Sequence, residues 1–209
     1  MIEYFLKRPE KILNPLLEHM ELVLITLLFS VALAAALTLL SLYVRKAGCV
    51  LNQLFAVLYG IPSLALFALL IPVTGLGTKT AVIVLVVYNQ YLLLRNFLTG
   101  IGEVDPAVCE AAAGIGMTKM QVLLRVQLPL ARKAIFAGIR LAVVSTIGIG
   151  TIASSINAGG LGDLLFDGLR TMNLVKILWG SFLSAGLAIV TNAVLKCVEN
   201  AIDRKVQGQ

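Results

Sequence analysis

The feature that most constrains the fold of this chain is residues 22–44, a run of 23 residues without one charged side chain. An α-helix rises about 1.5 Å per residue, so a helix of this length crosses the roughly 30 Å hydrocarbon core of a bilayer. Composition agrees, because 59% of the 209 residues are hydrophobic and 13% are charged, where a soluble domain has about 45–50% and about 25%. The sequence therefore predicts an all-α integral membrane protein.

Apolar segments recur along the rest of the chain at a length that suits membrane-spanning helices. Pro62 is expected to kink the second of them, because proline removes a helix hydrogen bond yet is tolerated in membranes. The glycine-rich residues 157–170 are expected to be irregular. The five predicted spans are residues 22–44, 50–72, 80–98, 133–155 and 177–195.

The spans divide the chain into three segments. We expect an N-terminal extracytoplasmic segment at 1–21, a transmembrane domain at 22–198 and a cytoplasmic tail at 199–209. The transmembrane domain includes loop 103–128, whose five charged side chains are too many to lie in lipid. If this loop is cytoplasmic, 11 of the 17 lysines and arginines are on the cytoplasmic side, as the positive-inside rule favours. The N-terminus is then outside and the C-terminus inside.

The charged loop carries local signals for two short helices. Asp105, which precedes a proline, is typical of a helix N-cap, because its carboxylate accepts hydrogen bonds from free backbone N–H groups. Gly116 is expected in the turn after the first helix. Thr118 and Gln121 have the spacing of a capping box, which predicts a second helix that runs to Leu128. Two short helices joined by a glycine turn favour a docking surface.

The same loop fits a longer motif. It contains Glu110-Ala111-Ala112, then Gly116, and finally Val126, Leu128 and Pro129. This spacing resembles the EAA-x3-G-x9-I-x-LP loop of permease subunits in bacterial ATP-driven importers, with valine in the place of the usual isoleucine. The resemblance implies a type I ABC importer (MetI-like) permease fold, in which the loop is a cytoplasmic EAA coupling helix that sits in a cleft of the ATPase. The residues assigned in this way to ATPase coupling are Glu110, Ala111, Ala112, Gly116, Met117, Leu128 and Pro129.

The resemblance also implies the partners of the chain. These are a pair of ATP-binding ABC subunits that hold ATP and Mg, a second permease chain in a homo- or heterodimer, an extracytoplasmic substrate-binding protein and the lipid bilayer. The chain itself is expected to be non-catalytic, without a cofactor or metal. Nucleic acid is not expected as a partner, because the net charge of +6 is spread over the chain without a lysine or arginine run longer than two.

Three further segments narrow the family. Residues 61–67, 100–106 and 158–168 resemble permeases for glycine betaine, carnitine, choline and related osmoprotectants. The resemblance implies import of a quaternary ammonium solute across the bacterial cytoplasmic membrane, with methionine, another amino acid or a thiolated betaine as alternative cargo. An ion-coupled secondary transporter is less favoured, because the predicted spans contain no aspartate or glutamate and no inverted repeat is apparent. A membrane-embedded enzyme is disfavoured, because no span holds clustered His, Asp or Cys.

Polar residues within the spans are candidates for a substrate path. Tyr88, Asn89 and Tyr91 interrupt the third span, and Asn157 follows the fourth. Tyrosine rings attract quaternary ammonium groups by cation–π interaction. Contacts between helices are an equally open interpretation of the three residues in the third span. Asn157 lies either in an exposed turn or near an external gate.

Three other polar side chains are ambiguous in the sequence. Arg95 and Arg140 lie near the cytoplasmic ends of their spans, where an arginine either extends to the interface or lines an inward path. His19 stands beside Glu18 at the edge of the first span and is expected to be solvated there. The G-x-G-x-x-A pattern at 148–153 lies inside a span with no preceding strand, so helix packing explains it better than cofactor binding.

Overall fold

The computed structural model describes residue 6 and residues 8–207, so parts of the predicted segments 1–21 and 199–209 lie outside the described residues. The described part of the chain is all-helical and has no strand, which confirms the predicted fold class. The helices are α1 (Glu10–Tyr43), α2 (Arg45–Tyr59), α3 (Ser63–Thr74), α4 (Thr78–Gly102), α5 (Pro106–Gly114), α6 (Lys119–Val122), α7 (Leu128–Ala153), α8 (Leu161–Arg170) and α9 (Leu174–Gln207).

Four helical stretches of the described chain are long and apolar enough to cross a membrane, or five if the bent pair α2 and α3 counts as one span. Both terminal helices extend beyond the predicted spans. Helix α1 begins at Glu10, 12 residues before the predicted start at Leu22, and α9 continues to Gln207. The predicted bounds are narrower because hydropathy identifies only the part of a helix that suits lipid. Backbone hydrogen bonding continues the same helix into the polar region outside the hydrocarbon core.

The second span differs from the predicted single kinked helix. Helices α2 and α3 are bent by 100° across a short break. The break lies where predicted, because Pro62 has no N–H to continue a helix and takes an extended ψ of 132°. It leaves the carbonyl of Ile61 without a helical partner, and the Tyr88 hydroxyl donates a hydrogen bond to that oxygen at 2.6 Å. A side chain of α4 therefore stabilises the break.

Helix α4 is central to the bundle and packs against α1, α2, α3 and α7. A buried polar network joins three of these helices. The Asn89 amide nitrogen donates to Ser30 Oγ on α1 at 3.0 Å and to Thr146 Oγ1 on α7 at 2.8 Å. On the same side, a Cβ added at Gly138 on α7 would lie 2.8 Å from the Cβ of Asn96. Close backbone approach and interhelical hydrogen bonds thus replace the hydrophobic driving force that lipid does not supply.

No break in the helix separates the charged loop from the predicted fourth span. Helix α6, a π-helical segment at Leu123–Gln127 and α7 run on without interruption, within one stretch from Lys119 to Ile156. Pro129 at the start of α7 cannot donate a backbone hydrogen bond, and the wider π turn accommodates this local change in the ladder. The loop is therefore rigidly connected to a membrane-spanning helix.

The prediction of irregular structure at 157–170 is also wrong, because most of that segment is helix α8. Leu161 and Leu164 are buried on one face of it, so tertiary packing outweighs the weak helix propensity of its glycines. A Cβ added at Gly168 would lie 2.7 Å from Ile177 Cγ1. The glycines of α8 thus permit close packing instead of breaking the helix.

Arg140 has a partner that the sequence did not predict. Its guanidinium forms an ion pair with Glu199 on α9. About two helical turns earlier on α7, Arg132 forms an ion pair with Asp203, which also lies on α9. Both acidic partners lie beyond the predicted fifth span, so these pairs bind α7 to the extended part of α9.

Candidate coupling surface and translocation path

Helix α5 presents a charged side chain of the loop on an open surface. Asp105 Oδ1 accepts a hydrogen bond from Ala107 N at 2.9 Å, which confirms the predicted N-cap. Ala112 is buried against the rest of the loop, whereas Glu110 and Ala111 are exposed. The helix therefore rests on its small alanine side chain and turns its carboxylate outward.

The turn after α5 has the conformation that its glycine permits. Gly116 has a φ of +91°, in the left-handed region where an L side chain is strained. The chain then closes onto α5 through a hydrogen bond from Met117 N to Ala112 O at 3.2 Å. The predicted capping box of α6 is confirmed, with Gln121 N donating to Thr118 Oγ1 at 3.3 Å and Thr118 N donating to Gln121 Oε1 at 2.8 Å.

Exposed apolar side chains surround this turn, and the sequence analysis did not single them out. Ile115 is 78% exposed and Val108 is 43% exposed. The sequence held one signal for this exposure. Ile115 stands between two glycines of a turn, where a side chain is rarely buried within its own chain. A groove of about 470 Å³ lies beside it, and its lining includes Tyr43, Cys109, Glu110, Met117, Met120 and Leu123. Exposed apolar side chains outside the predicted spans are typical of a protein–protein contact.

The remaining two motif residues lie at the base of the loop. Leu128 packs against a buried cluster that contains Ile101, Leu123 and Ala131. The carbonyl of Pro129 accepts a hydrogen bond from Arg132 Nη1 at 2.8 Å. The motif therefore has two parts, an exposed part around Glu110 and a packed part that anchors the loop to α7.

The structure brings together only two of the four candidate path residues. Tyr88 is buried and Tyr91 is half-buried on the same face of α4. Asn89 points to α1 and α7 through the buried network, which favours the helix-contact interpretation for this residue. Asn157 is exposed, with a φ of 63°, in the turn that precedes α8.

A third tyrosine, missed in the sequence, completes an aromatic group with Tyr88 and Tyr91. Tyr59 is the last residue of α2, and its ring centroid lies 5.7 Å from that of Tyr88 and 5.1 Å from that of Tyr91. The only signal for Tyr59 in the sequence was its position directly before Gly60, at the break. The ring contacts themselves depend on the 100° bend between α2 and α3, which the sequence did not predict. The aromatic group thus lies where the broken span meets α4.

The opposite end of the bundle from the loop is held together by long-range contacts. Glu18 Oε2 accepts a hydrogen bond from Gly160 N at 3.0 Å, which brings α1 to the start of α8. His19 is fully buried, with Nε2 3.2 Å from Ile147 O, so the prediction of a solvated histidine is wrong. Because α1 begins nine residues before it, His19 lies within the bundle and beneath the Gly160 turn.

Two carboxyl groups on α8 respond differently to their surroundings. Partial burial raises the pKa of Asp163, and the nearby charges of Glu18 and Asp167 act in the same direction. The pKa of Asp167 is lowered, mainly by the hydrogen bond that Lys176 Nζ donates to it at 2.6 Å. At this end of the molecule the surroundings therefore stabilise the charged form of Asp167 and disfavour the charged form of Asp163.

Spanning helices, a broken second span and an exposed loop rigidly joined to a spanning helix define a polytopic membrane permease. The family model for the binding-protein-dependent transport system inner membrane component matches residues 27–208. The chain belongs to this family and is a multi-pass inner membrane protein. It is thus a transport permease subunit, as the loop motif predicts.

Two named relatives are similar over most of their length. The carnitine transport permease protein OpuCD of Listeria monocytogenes serotype 1/2a (strain 10403S) is 41% identical over 160 residues, which cover 76% of this chain and 71% of the relative. The choline transport system permease protein OpuBB of Bacillus subtilis (strain 168) is 36% identical over 185 residues, which cover 88% and 85%. These relatives confirm the predicted resemblance to osmoprotectant permeases.

A solved structure has the same fold. A chain of the inward-facing MetNI methionine ABC transporter superposes with a TM-score of 0.81, over 91% of this chain and 95% of that chain, at 18% sequence identity. At this identity the likeness establishes the fold alone. It confirms the predicted MetI-like architecture.

Proposed function

We propose that this chain forms the membrane path of an ATP-driven importer for a quaternary ammonium osmoprotectant such as glycine betaine, carnitine or choline. The names of the two relatives support this cargo. The alternative cargoes are methionine, another amino acid or a thiolated betaine.

The observation that carries the coupling role is the exposure of Glu110 beside Ile115. An exposed carboxylate on α5 and an exposed large apolar side chain in the turn that follows it suit a partner that supplies a basic residue and an apolar cleft. We assign this partner to a separate ATP-binding subunit that holds ATP and Mg. Ala111, Gly116 and Met117 shape the contact, whereas Leu128 and Pro129 transmit its movement to α7.

The path itself runs along the tyrosine face of α4. Tyr91, with the buried ring of Tyr88 behind it, offers a weak cation–π contact of ~0.5–2 kcal/mol, far below the about 8 kcal/mol of micromolar affinity. Asn89 holds the wall of this path, and Asn157 lies near its external entrance. Tight binding therefore belongs to an extracytoplasmic binding protein, which docks at the α8 end, and a second permease chain completes the path.

The cargo is tested in proteoliposomes that contain the assembled complex. We expect ATP-dependent uptake of labelled glycine betaine, carnitine or choline, and no uptake of methionine. Uptake of methionine alone would overturn the cargo while leaving the importer class intact. Uptake that follows an ion gradient without ATP would instead favour a secondary transporter.

The orientation is tested by cysteine labelling in whole cells. We propose that the N-terminus is outside and the coupling loop inside. A cysteine introduced at Gly77, in the turn before α4, should react with an impermeant thiol reagent, whereas Cys109 on α5 should not. The reverse pattern would overturn the orientation and, with it, the docking of Glu110 on a cytoplasmic ATPase.

A further inference from the structure

An arginine completes the aromatic group on α4. Tyr88, Tyr91 and Arg95 follow one another at spacings of three and four residues, so they share one face of the helix. Arg95 Nη1 donates a hydrogen bond to Tyr91 Oη at 2.9 Å, and the guanidinium carbon lies 5.9 Å from the centre of the Tyr91 ring. Together with Tyr59 these residues form what we call the Arg–Tyr cluster.

The Arg–Tyr cluster opens toward the surface of the chain. Tyr88 is 2% exposed and forms its floor, whereas Tyr59 is 36% exposed. Tyr91 is half-buried and Arg95 is exposed. A ligand that reaches this face therefore meets two accessible rings and a guanidinium, with a third ring behind them.

The direction of the Arg95 side chain does not fit an arginine that extends to the interface. Arg95 lies seven residues before the end of α4 at Gly102 and 17 residues after its start at Thr78, so the nearer membrane boundary is at the Gly102 end. Its guanidinium instead contacts Tyr91, which lies one helical turn further from that boundary than Arg95 does. A charge held toward the membrane interior faces a bundle interior or a water-filled path, because lipid penalises it.

We propose that Arg95 is a specificity-determining residue that binds the carboxylate of a zwitterionic cargo while the rings of Tyr59 and Tyr91 hold its quaternary ammonium group. The inference rests on the proposed cargo class and adds a distinction within it. Glycine betaine and carnitine carry both charges, whereas choline carries a hydroxyl in place of the carboxylate.

The contact between Arg95 and Tyr91 gives the distinction its physical basis. At 5.9 Å the guanidinium occupies the cation–π position of the ring. A quaternary ammonium group competes for this position and is repelled by the like charge. A zwitterion offsets that repulsion, because its carboxylate accepts charge-assisted hydrogen bonds from the displaced guanidinium. Choline has no group that offers this compensation, so Arg95 favours zwitterions over simple cations.

The experiment compares uptake of labelled glycine betaine and choline by the assembled complex in proteoliposomes, with one and the same binding protein throughout. The variants are Arg95→Gln, which removes the charge, and Arg95→Lys, which keeps it. We expect Arg95→Gln to lower the ratio of glycine betaine to choline uptake about tenfold, the effect of losing one hydrogen bond to a charged group. Arg95→Lys should retain most of the wild-type ratio.

Arg204→Gln is the matched control, because Arg204 is an exposed arginine near the end of α9, distant in sequence from the Arg–Tyr cluster. It should leave the ratio unchanged.

An equal loss of both solutes in Arg95→Gln would indicate a structural role and overturn the inference. If the wild type carries only the zwitterion, Arg95→Lys must retain uptake that Arg95→Gln loses. If it carries only choline, Arg95→Gln must raise uptake, because the repulsion of the cation is removed, and unchanged or lost uptake overturns the inference.

The same experiment separates this inference from the proposed cargo. Wild-type complex that takes up neither solute, but takes up methionine, would overturn the cargo and the role of Arg95 together. Wild-type complex that takes up both solutes, with a ratio that Arg95→Gln leaves unchanged, would overturn the role of Arg95 alone.

Discussion

The two ends of the helix bundle differ in where their polar groups find partners. At the loop end, Glu110 is exposed, and within the described part of the chain none of the ion pairs includes it. At the α8 end, Glu18 accepts from Gly160 N, and Lys176 pairs with Asp167. A carboxylate that is satisfied within the chain supports the fold, whereas an exposed carboxylate such as Glu110 is available to another subunit.

This comparison predicts that a change of the exposed charge at the loop end impairs transport without loss of stability, and that loss of an internal hydrogen bond at the α8 end impairs stability first. The distinction is measurable in one protein, because uptake and the melting temperature of the detergent-purified complex are independent readouts.

The largest effect is expected from Glu110→Lys. Like charges brought together at an interface cost several kcal/mol, so we expect uptake to fall by more than about a hundredfold. Membrane insertion and melting temperature should not change, because Glu110 is exposed on α5. Glu103→Lys is the matched control, since Glu103 is an exposed carboxylate outside the motif. Normal uptake by Glu110→Lys would contradict the coupling assignment.

The turn after α5 gives a smaller effect with a sharper control. A Cβ added at Gly116 or at Gly114 would meet no atom within 4 Å, so the two sites differ in backbone conformation and not in space. Gly116→Ala puts a side chain on a backbone in the left-handed region, which costs about 1–2 kcal/mol. We therefore expect uptake to fall roughly tenfold. Gly114→Ala should leave uptake close to wild type. Equal effects of the two substitutions would mean that the turn geometry does not matter for coupling.

The third prediction concerns the α8 end. Glu18 accepts a hydrogen bond at the N-terminus of α8, where a carboxylate also interacts favourably with the helix dipole. Glu18→Ala should cost about 1 kcal/mol, and a melting temperature lowered by roughly 2–4 °C would check it. Glu21→Ala removes an exposed carboxylate from the same helix and should have no such effect. A stable Glu18→Ala variant with impaired uptake would reverse the comparison between the two ends.

The features that sequence analysis located correctly depend on neighbouring residues. The N-cap at Asp105 and the capping box of Thr118 and Gln121 each involve side chains within three positions of the backbone groups they bind. The hydropathy of a span is likewise a local property. Such features are readable because proximity along the chain guarantees proximity in space.

The features that sequence analysis missed depend on packing between distant segments. His19 is buried by contacts 128 residues away at Ile147, and the partner of Arg140 lies 59 residues away at Glu199. Tyr59 reaches Tyr91 only because the second span bends by 100° instead of kinking. One sequence without tertiary information predicts neither the bend angle nor the pairing of helices, so these parts of the site required the structure.

The smallest expected effect tests whether every carboxylate at the α8 end supports the fold. The pKa of Asp163 is raised by burial and by the charges of Glu18 and Asp167, so the folded state binds this proton more tightly than the unfolded state does. Wild-type stability from this group therefore rises as the pH is lowered from neutral, and Asp163→Asn should raise the melting temperature at pH 7 by less than roughly 2 °C. The gain should shrink toward pH 4.

Asp167→Asn is the matched variant with the opposite expected sign, because the lowered pKa of Asp167 means that its contribution to stability is present at neutral pH and is lost on acidification. Melting curves of both variants at pH 7 and pH 4 check the signs, and a destabilised Asp163→Asn at pH 7 would show that this carboxylate also supports the fold.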